Sequence, residues 1–306
     1  MRISDIKKDW ARNKSVYFLA LPLIIYFVIF NYLPIGGILL AFEHYDARGG
    51  TVGSAWIGIS NFVNFFSTYY FGRLIKNTLI MSVYSMIINF PAPIILALLL
   101  NEMENRAFKK TIQTMSYMPY FVSTVVICGI IQDFVGTTGL ISQALVKMGV
   151  YHKPTDMLGL RDFWTFRTIF VISNAWQSTG YGSIIFLAVL SSVDQELYEA
   201  AKIDGAGRWK QTLHVTIPGI QTMIMMMLIM QVSSLLNVSM DKIILLYRPT
   251  TYEVADVIMS FVYRSGIMQG EYGYSTAVNI FNSVVSMVLL ITANAASRKF
   301  SEFSLF

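Results

Sequence analysis

Residues 199–219 read EAAKIDGAGRWKQTLHVTIPG, a polar, helix-forming segment set between two long apolar runs. Glu199, Ala200, Ala201 and Lys202 favour helix. Asp204-Gly205-Ala206-Gly207 then supplies a turn, because glycine reaches backbone conformations that other residues avoid. Arg208 to Val215 can resume as a second short helix, and Pro218 stands at the first turn of the next apolar run, where proline is tolerated. A helix–turn–helix between two membrane-length runs has little of its own chain to pack on, so a partner is expected to dock there. An ordinary amphipathic connecting loop has the same composition, and composition alone leaves both readings open.

The surroundings place this segment in a membrane protein. Of 306 residues, 55% are hydrophobic and only 13% charged, against about a quarter charged in soluble domains. The net charge of +5 is modest, and no long basic run argues for nucleic acid. A single cysteine, Cys128, excludes an internal disulfide framework, and His44, His152 and His214 stand too far apart to form a metal-ligand pattern.

Taken in order, a basic stretch over 1–15 precedes an apolar run at 16–42, long enough to cross a bilayer that requires about 20 residues. This run is far longer than a signal-peptide core and is expected to remain as an anchor. Residues 43–71 carry too many polar breaks for a span. Further spans are expected at 72–100, 112–134, 168–190, 217–240 and 274–297, with Pro91 and Pro93 kinking the second and Pro119 inside the third. Between the third and fourth, 140–150 reads as a short amphipathic helix and Pro154-Thr155-Asp156 as a turn. Six spans put both termini on one side. Thirteen of the 23 Lys and Arg fall on that side, in short segments, and the remaining ten are spread through three longer loops. Density of positive charge therefore assigns the termini and the 199–218 loop to the cytoplasm.

Three of the expected spans carry polar residues at helical spacing. Asn174, Gln177, Ser178 and Tyr181 stand at i, i+3, i+4 and i+7; Asn279, Asn282, Ser283 and Ser286 repeat the pattern; Gln231, Ser234, Asn237 and Asp241 share one broad face. Lipid cannot satisfy such groups, so they face other helices or water. Inter-helix hydrogen bonding is one use for them. Convergence at one depth, with Trp176 and Tyr181 nearby, makes them candidates for a neutral, amide- and hydroxyl-rich cavity suited to sugar hydroxyls. Neither GxxxxGK[ST] nor a GxGxxG after a strand occurs, and no nucleophile–base constellation is visible, so a catalytic chain and one that binds ATP by itself are not expected. Met223, Met225, Met226, Met227 and Met230 read as adaptable packing, and Asp241 and Lys242 as solvated at the outer end of the fifth span.

Glu199-Ala200-Ala201, three residues, Gly205, nine residues, then Val215-x-Ile217-Pro218 resembles the cytoplasmic EAA loop of importer-type ABC permeases, with Val215 and Ile217 in place of the usual isoleucine and leucine. FNYLPIGGILLAFEHY (30–45), WIGISNF (56–62), Asn77-Thr78-Leu79, LALLLNE (96–102), QTMSYMPYFVS (113–123) and VADVIMSFVYRSG (254–266) resemble the oligosaccharide branch of the same permeases. The resemblance implies an all-α membrane protein of six transmembrane helices with the type I ABC importer permease fold, one transmembrane domain over 1–306. Residues 1–15 would be a cytoplasmic N-terminal segment and 194–216 a cytoplasmic coupling loop. It implies an ATPase-coupling role for Glu199, Ala200, Ala201, Asp204, Gly205, Gly207 and Pro218. It further implies a second homologous permease, two cytoplasmic ATPase subunits that keep ATP and Mg to themselves, an extracytoplasmic solute-binding protein and a sugar cargo. Glu199 could cap local backbone donors or pair with a basic group on the ATPase, and the residues leave that open. An ion-coupled secondary transporter would instead show internal repeats and intramembrane charges, and a membrane enzyme or assembly protein its own chemistry.

Overall fold

The computed structural model describes residues 10, 12–46 and 50–300, and the chain is mostly helical over them. Most of the basic N-terminal segment, including Arg2, Lys7 and Lys8, lies outside the described residues, as do 301–306. The described residues form two compact units: those up to Thr68 together with Val262–Ile280, and Tyr69–Phe261 together with those from Phe281 on.

In the first unit, α1 (Lys14–Phe42) is a 29-residue apolar rod with a mean hydropathy of 2.2 in its most apolar window. It ends at a two-residue antiparallel ladder in which Glu43 pairs with Trp56 and His44 with Ala55. The buried Asn61 of α2 (Ser60–Ser67) fastens this end, its Nδ2 donating to the carbonyls of Ala41 at 3.0 Å and Glu43 at 3.2 Å. The described part of the 43–71 stretch is thus short strands and short helices, as its polar breaks require.

The second unit is built on α3 (Phe71–Asn89), α4 (Pro91–Asn101), α5 (Arg106–Tyr117), α6 (Thr124–Val135), α7 (Leu140–Lys147) and α8 (Thr165–Leu190). Pro91 and Pro93 interrupt the second expected span only at Phe90, which keeps helical φ −77° and ψ −48°. The long α8 packs along α3, α4 and α5. Phe166, Phe170 and Val171 on it join Met81, Cys128 and Leu158 in one apolar core, and Phe186 and Leu190 join Ala97, Val193 and Ile220 in another. The approach is closest at Gly180, where a Cβ would lie 1.9 Å from the Ser116 carbonyl oxygen. Backbone cannot yield there as a side-chain tip can, so Gly180→Ala is expected to destabilise the chain by about 3 kcal/mol. A fall of several degrees in the melting temperature of the detergent-purified protein is the readout; an unchanged melting curve would mean the helices are free to separate.

Two expected spans are not continuous helices. The third breaks at Pro119, which has no N–H to give, in a tight turn over Met118–Phe121, and restarts at α6 with the Ser123 hydroxyl accepting from the Val126 N–H. After α9 (Gln195–Ile203) in the loop, the fifth is replaced by α10 (Arg208–Gly219), α11 (Gln221–Ser233) and α12 (Met240–Leu246), with α10 and α11 bent by 63°. Pro218 therefore lies just before a sharp bend at Ile220, at the end of α10 and not at the start of the next run. Two short helices follow, α13 (Tyr252–Ala255) and α14 (Ile258–Tyr263). The sixth expected span, α15 (Tyr272–Phe300), is one long helix.

Among the described residues, Lys14–Phe42, Phe71–Asn101, Thr124–Lys147 and Tyr272–Arg298 are long and apolar enough to cross a bilayer, and the bent α10–α11 pair makes a fifth candidate. By length α8 could span as well, at about 39 Å, but Asn174, Gln177, Ser178 and Thr179 dilute its hydropathy. Lys242 also departs from expectation. It is buried at 1% exposure, with Nζ donating to Ser173 Oγ at 3.4 Å, because α12 turns back into the core where an unbroken fifth span would have carried it outward.

Candidate functional site

The 199–218 loop begins where Asp194 caps α9, its Oδ1 accepting from the Glu196 N–H at 3.0 Å. The cap is therefore Asp194. The Glu199 carboxylate, on the exposed face of α9 beside Ala200, takes no partner among the described residues. The helix ends in a Schellman motif: Gly205 sits at φ +73°, its N–H donates to the Lys202 carbonyl at 3.0 Å, and the Ala206 N–H donates to Ala201 at 2.8 Å. Asp204 is the last near-helical residue before that reversal, and Gly207 (φ −67°, ψ 166°) precedes α10 in ordinary extended backbone. Tyr198 Oη donates to Thr216 Oγ1 at 3.0 Å, tying the two arms together, and Arg208 pairs with Glu104 in the neighbouring turn. Apolar side chains point away from this brace, with Ile203 87% and Trp209 73% exposed.

The second candidate is a cavity of about 340 Å³ in the second unit. From α8 it receives Asn174, Gln177 and Ser178; from the end of α11 and the turn after it, Gln231, Ser234 and Asn237. Asn282, on α15, stands behind the lining and donates from Nδ2 to Asn237 Oδ1 at 2.8 Å. Tyr181 stacks flat on Tyr120 with ring centroids 3.9 Å apart, and Tyr120 lines the cavity. Trp176 points elsewhere, into two other clefts that are mainly apolar. Asn279 belongs to the other compact unit.

The cavity also has a wall that the three polar faces did not include. Ser82, Ser85 and Asn89 of α3 line it, and Ser82 Oγ, Ser85 Oγ and Asn89 Oδ1 are buried without a hydrogen-bond partner among the described residues. Their spacing, i, i+3 and i+7, carries the same helical signal as the faces found in the other helices. Asn77, earlier on α3, serves the fold instead, accepting from Arg167 at 2.7 Å and donating to the Glu253 and Asp256 carbonyls. All residues lining the cavity are neutral. Such a lining offers donors and acceptors for hydroxyl groups and no fixed charge for a bare ion. Among the described residues, no group of three or more His, Cys, Asp or Glu could hold a metal.

A family model described as "Binding-protein-dependent transport system inner membrane component" matches residues 89–302. The chain is 41% identical over 296 residues to "Protein LplB" of Bacillus subtilis (strain 168), covering 96% of this chain and 92% of that protein. It is 39% identical to the "Polygalacturonan/rhamnogalacturonan transport system permease protein YteP" of the same organism, covering 95% and 90%. Among solved structures, a chain of a bacterial ABC transporter involved in the import of the acidic polysaccharide alginate superposes with a TM-score of 0.88 at 38% identity, over 97% of this chain and 99% of that one.

Proposed function

Because the chain belongs to the family of binding-protein-dependent transport system inner membrane components, we propose that its loop and its cavity are the two working parts of a permease subunit. The protein is the permease component of a sugar-importing ABC transporter. In this reading it crosses the membrane six times, in the type I arrangement, as one transmembrane domain. Helix α8 counts as a span despite its diluted hydropathy, because its polar residues turn to the cavity and its remaining surface to lipid and neighbouring helices. The bent α10–α11 pair serves as the fifth.

The observation that carries the reading is the neutral cavity with its buried, unpartnered hydroxyl and amide atoms. Polar groups held away from water without partners are costly, and a sugar's hydroxyls satisfy them in transit. The coupling loop supplies the other half. Its exposed apolar side chains and the unpaired Glu199 present a surface to an ATPase subunit, and the braced pair of helices carries movement of that subunit to α8 and α11. A second homologous permease, two cytoplasmic ATPases that hold ATP and Mg, and an extracytoplasmic solute-binding protein complete the importer. A structural neighbour captured with a pentasaccharide-bound periplasmic protein supports the last of these. The working cycle is alternating access, in which the spans rock and open the cavity to one side and then the other. An ion-coupled carrier fits less well, since the cavity lining carries no charge.

The permease role is tested by assembling the chain with its partners in proteoliposomes. ATP-dependent uptake of an oligosaccharide must appear, and must vanish when this chain is omitted. Orientation has its own test. A cysteine at the exposed Lys153 is expected to react with a membrane-impermeant thiol reagent in intact cells, and one at the exposed Lys202 only after permeabilisation. Labelling of the Lys202 position from outside would put the loop on the wrong side for coupling.

A further inference from the structure

A second cleft of about 630 Å³ lies in the same unit, and its lining is not neutral: Arg73, Lys76 and Arg167 face it, with Glu253 at its wall and the rings of Tyr69 and Phe163 beside them. Arg73 is partly neutralised by Asp256, 3.5 Å away and buried. Lys76 is exposed and has no hydrogen-bond or ion-pair partner among the described residues. Arg167 is only 1% exposed and is held by neutral groups alone, donating to the Phe163 carbonyl at 2.9 Å and to Asn77 Oδ1 at 2.7 Å. Its guanidinium lies 4.0 Å from the centroid of the Phe163 ring, and its Nε has no partner among the described residues.

Further along α8, at Ser173, the pattern repeats in the core. Lys242, also 1% exposed, bonds Ser173 Oγ and no carboxylate at ion-pair distance among the described residues. Ser173 adjoins Asn174, which lines the neutral cavity. Helix α8 thus carries a buried arginine in its first turn, then a serine holding a buried lysine, then the amides of the cavity. Burying a cation without its counter-ion is expensive, and one such site is usually removed or paired. Lys242 lines neither the cleft nor the cavity; Arg167 does line the cleft, beside the exposed Lys76, and calls for an anion that arrives from outside the chain.

On the permease reading above, on which this rests, the cleft opens at the extracytoplasmic end of α3 and α8. We propose that it is an entry subsite for the carboxylate of a uronic-acid residue, and that the cargo is an acidic oligosaccharide. The guanidinium of Arg167 and the ammonium of Lys76 take the carboxylate, Tyr69 and Phe163 flank the ring, and the neutral cavity beyond takes the hydroxyls. With Asp256 and Glu253 offsetting part of the charge, the surplus suits a monoanionic carboxylate better than a phosphate dianion.

The test uses the assembled importer in nanodiscs with a Gly72→Cys reporter at the cleft; Gly72 is exposed in the lining with open space where a Cβ would be, and the native Cys128 is buried. An anionic methanethiosulfonate is expected to label the reporter about five-fold faster than a cationic one, and Lys76→Gln to bring that ratio close to one. Trigalacturonate is expected to protect the reporter at a concentration about ten-fold below that needed by its neutral methyl ester. Equal protection by acid and ester, no protection by the acid, or equal labelling rates would overturn the proposal. Protection by phosphatidylglycerol in place of phosphatidylcholine, with no effect of sugar, would also overturn it and mark the cleft as a lipid headgroup site. If ATP-dependent sugar uptake survives while acid and ester behave alike, only this inference falls; if no sugar is taken up at all, the permease reading falls with it.

Discussion

Gly205→Val is expected to leave the chain in the membrane while cutting sugar uptake per ATP hydrolysed by about thirty-fold, or releasing the ATPase from the complex. Gly205 sits at φ +73° with no heavy atom within 4 Å of where a Cβ would be, so the cost is backbone strain and not a clash. Left-handed backbone costs an L-residue about 1–2 kcal/mol and a β-branched one more. A valine escapes it by reversing φ, which breaks the Ala206 N–H to Ala201 bond that closes the motif. The direction in which α10 leaves α9 then changes, and with it the Tyr198–Thr216 brace. A loss of about 1.4 kcal/mol is ten-fold in an equilibrium, so a thirty-fold effect requires only about 2 kcal/mol. Gly207→Ala is the comparison, because φ −67° at Gly207 suits any residue and nothing lies within 4 Å; its effect is expected to be much smaller. Purifying the complex, weighing ATPase per permease and measuring uptake per ATP would decide the matter. Normal values for Gly205→Val would remove the coupling role despite the motif.

In the cavity, Gln177→Leu and Asn237→Leu are each expected to lower uptake at least ten-fold with the complex still assembled. They remove the amide in different ways. Gln177 lines the cavity, and its side chain has no partner among the described residues, so its loss breaks no bond of the fold. Asn237 accepts from Asn282, which is 2% exposed, and its loss strands a buried amide at a cost of about 1–3 kcal/mol. Asn237→Asp keeps an acceptor for Asn282 and a polar lining, and is expected to restore most of the stability lost by the leucine variant. If uptake is normal in both leucine variants, the polar faces are inter-helix hydrogen bonding and not a path for sugar.

Much of this was legible from local sequence. Apolar runs mark helices because backbone in lipid must satisfy itself, and α1, the Phe71–Asn101 stretch, α8 and α15 fall within a few residues of their expected bounds. The turn at Gly205 follows from the one residue that tolerates positive φ, and the polar face at 174–178 follows from helical spacing, whereas Ser234 and Asn237 reach the cavity from the turn after α11 and not from a helical face. What local sequence could not decide was which apolar run stays straight. A hydropathy pattern over 112–134 or 217–240 is the same whether the helix is whole, broken at Pro119 or bent at Ile220, since a break is stable only where neighbours take up the freed backbone groups. The same limit hid the α3 wall of the cavity and sent Trp176 out of it: a side chain's neighbour across a bundle depends on how helices rotate against one another. It also made Lys242 look solvated. Composition and periodicity determined that the chain is a helical membrane protein with a polar helix–turn–helix between two apolar runs, because those properties belong to single segments. Only tertiary packing decided which polar atoms share a cavity and which charges are buried without a counter-ion, because each is a relation between segments far apart in the chain.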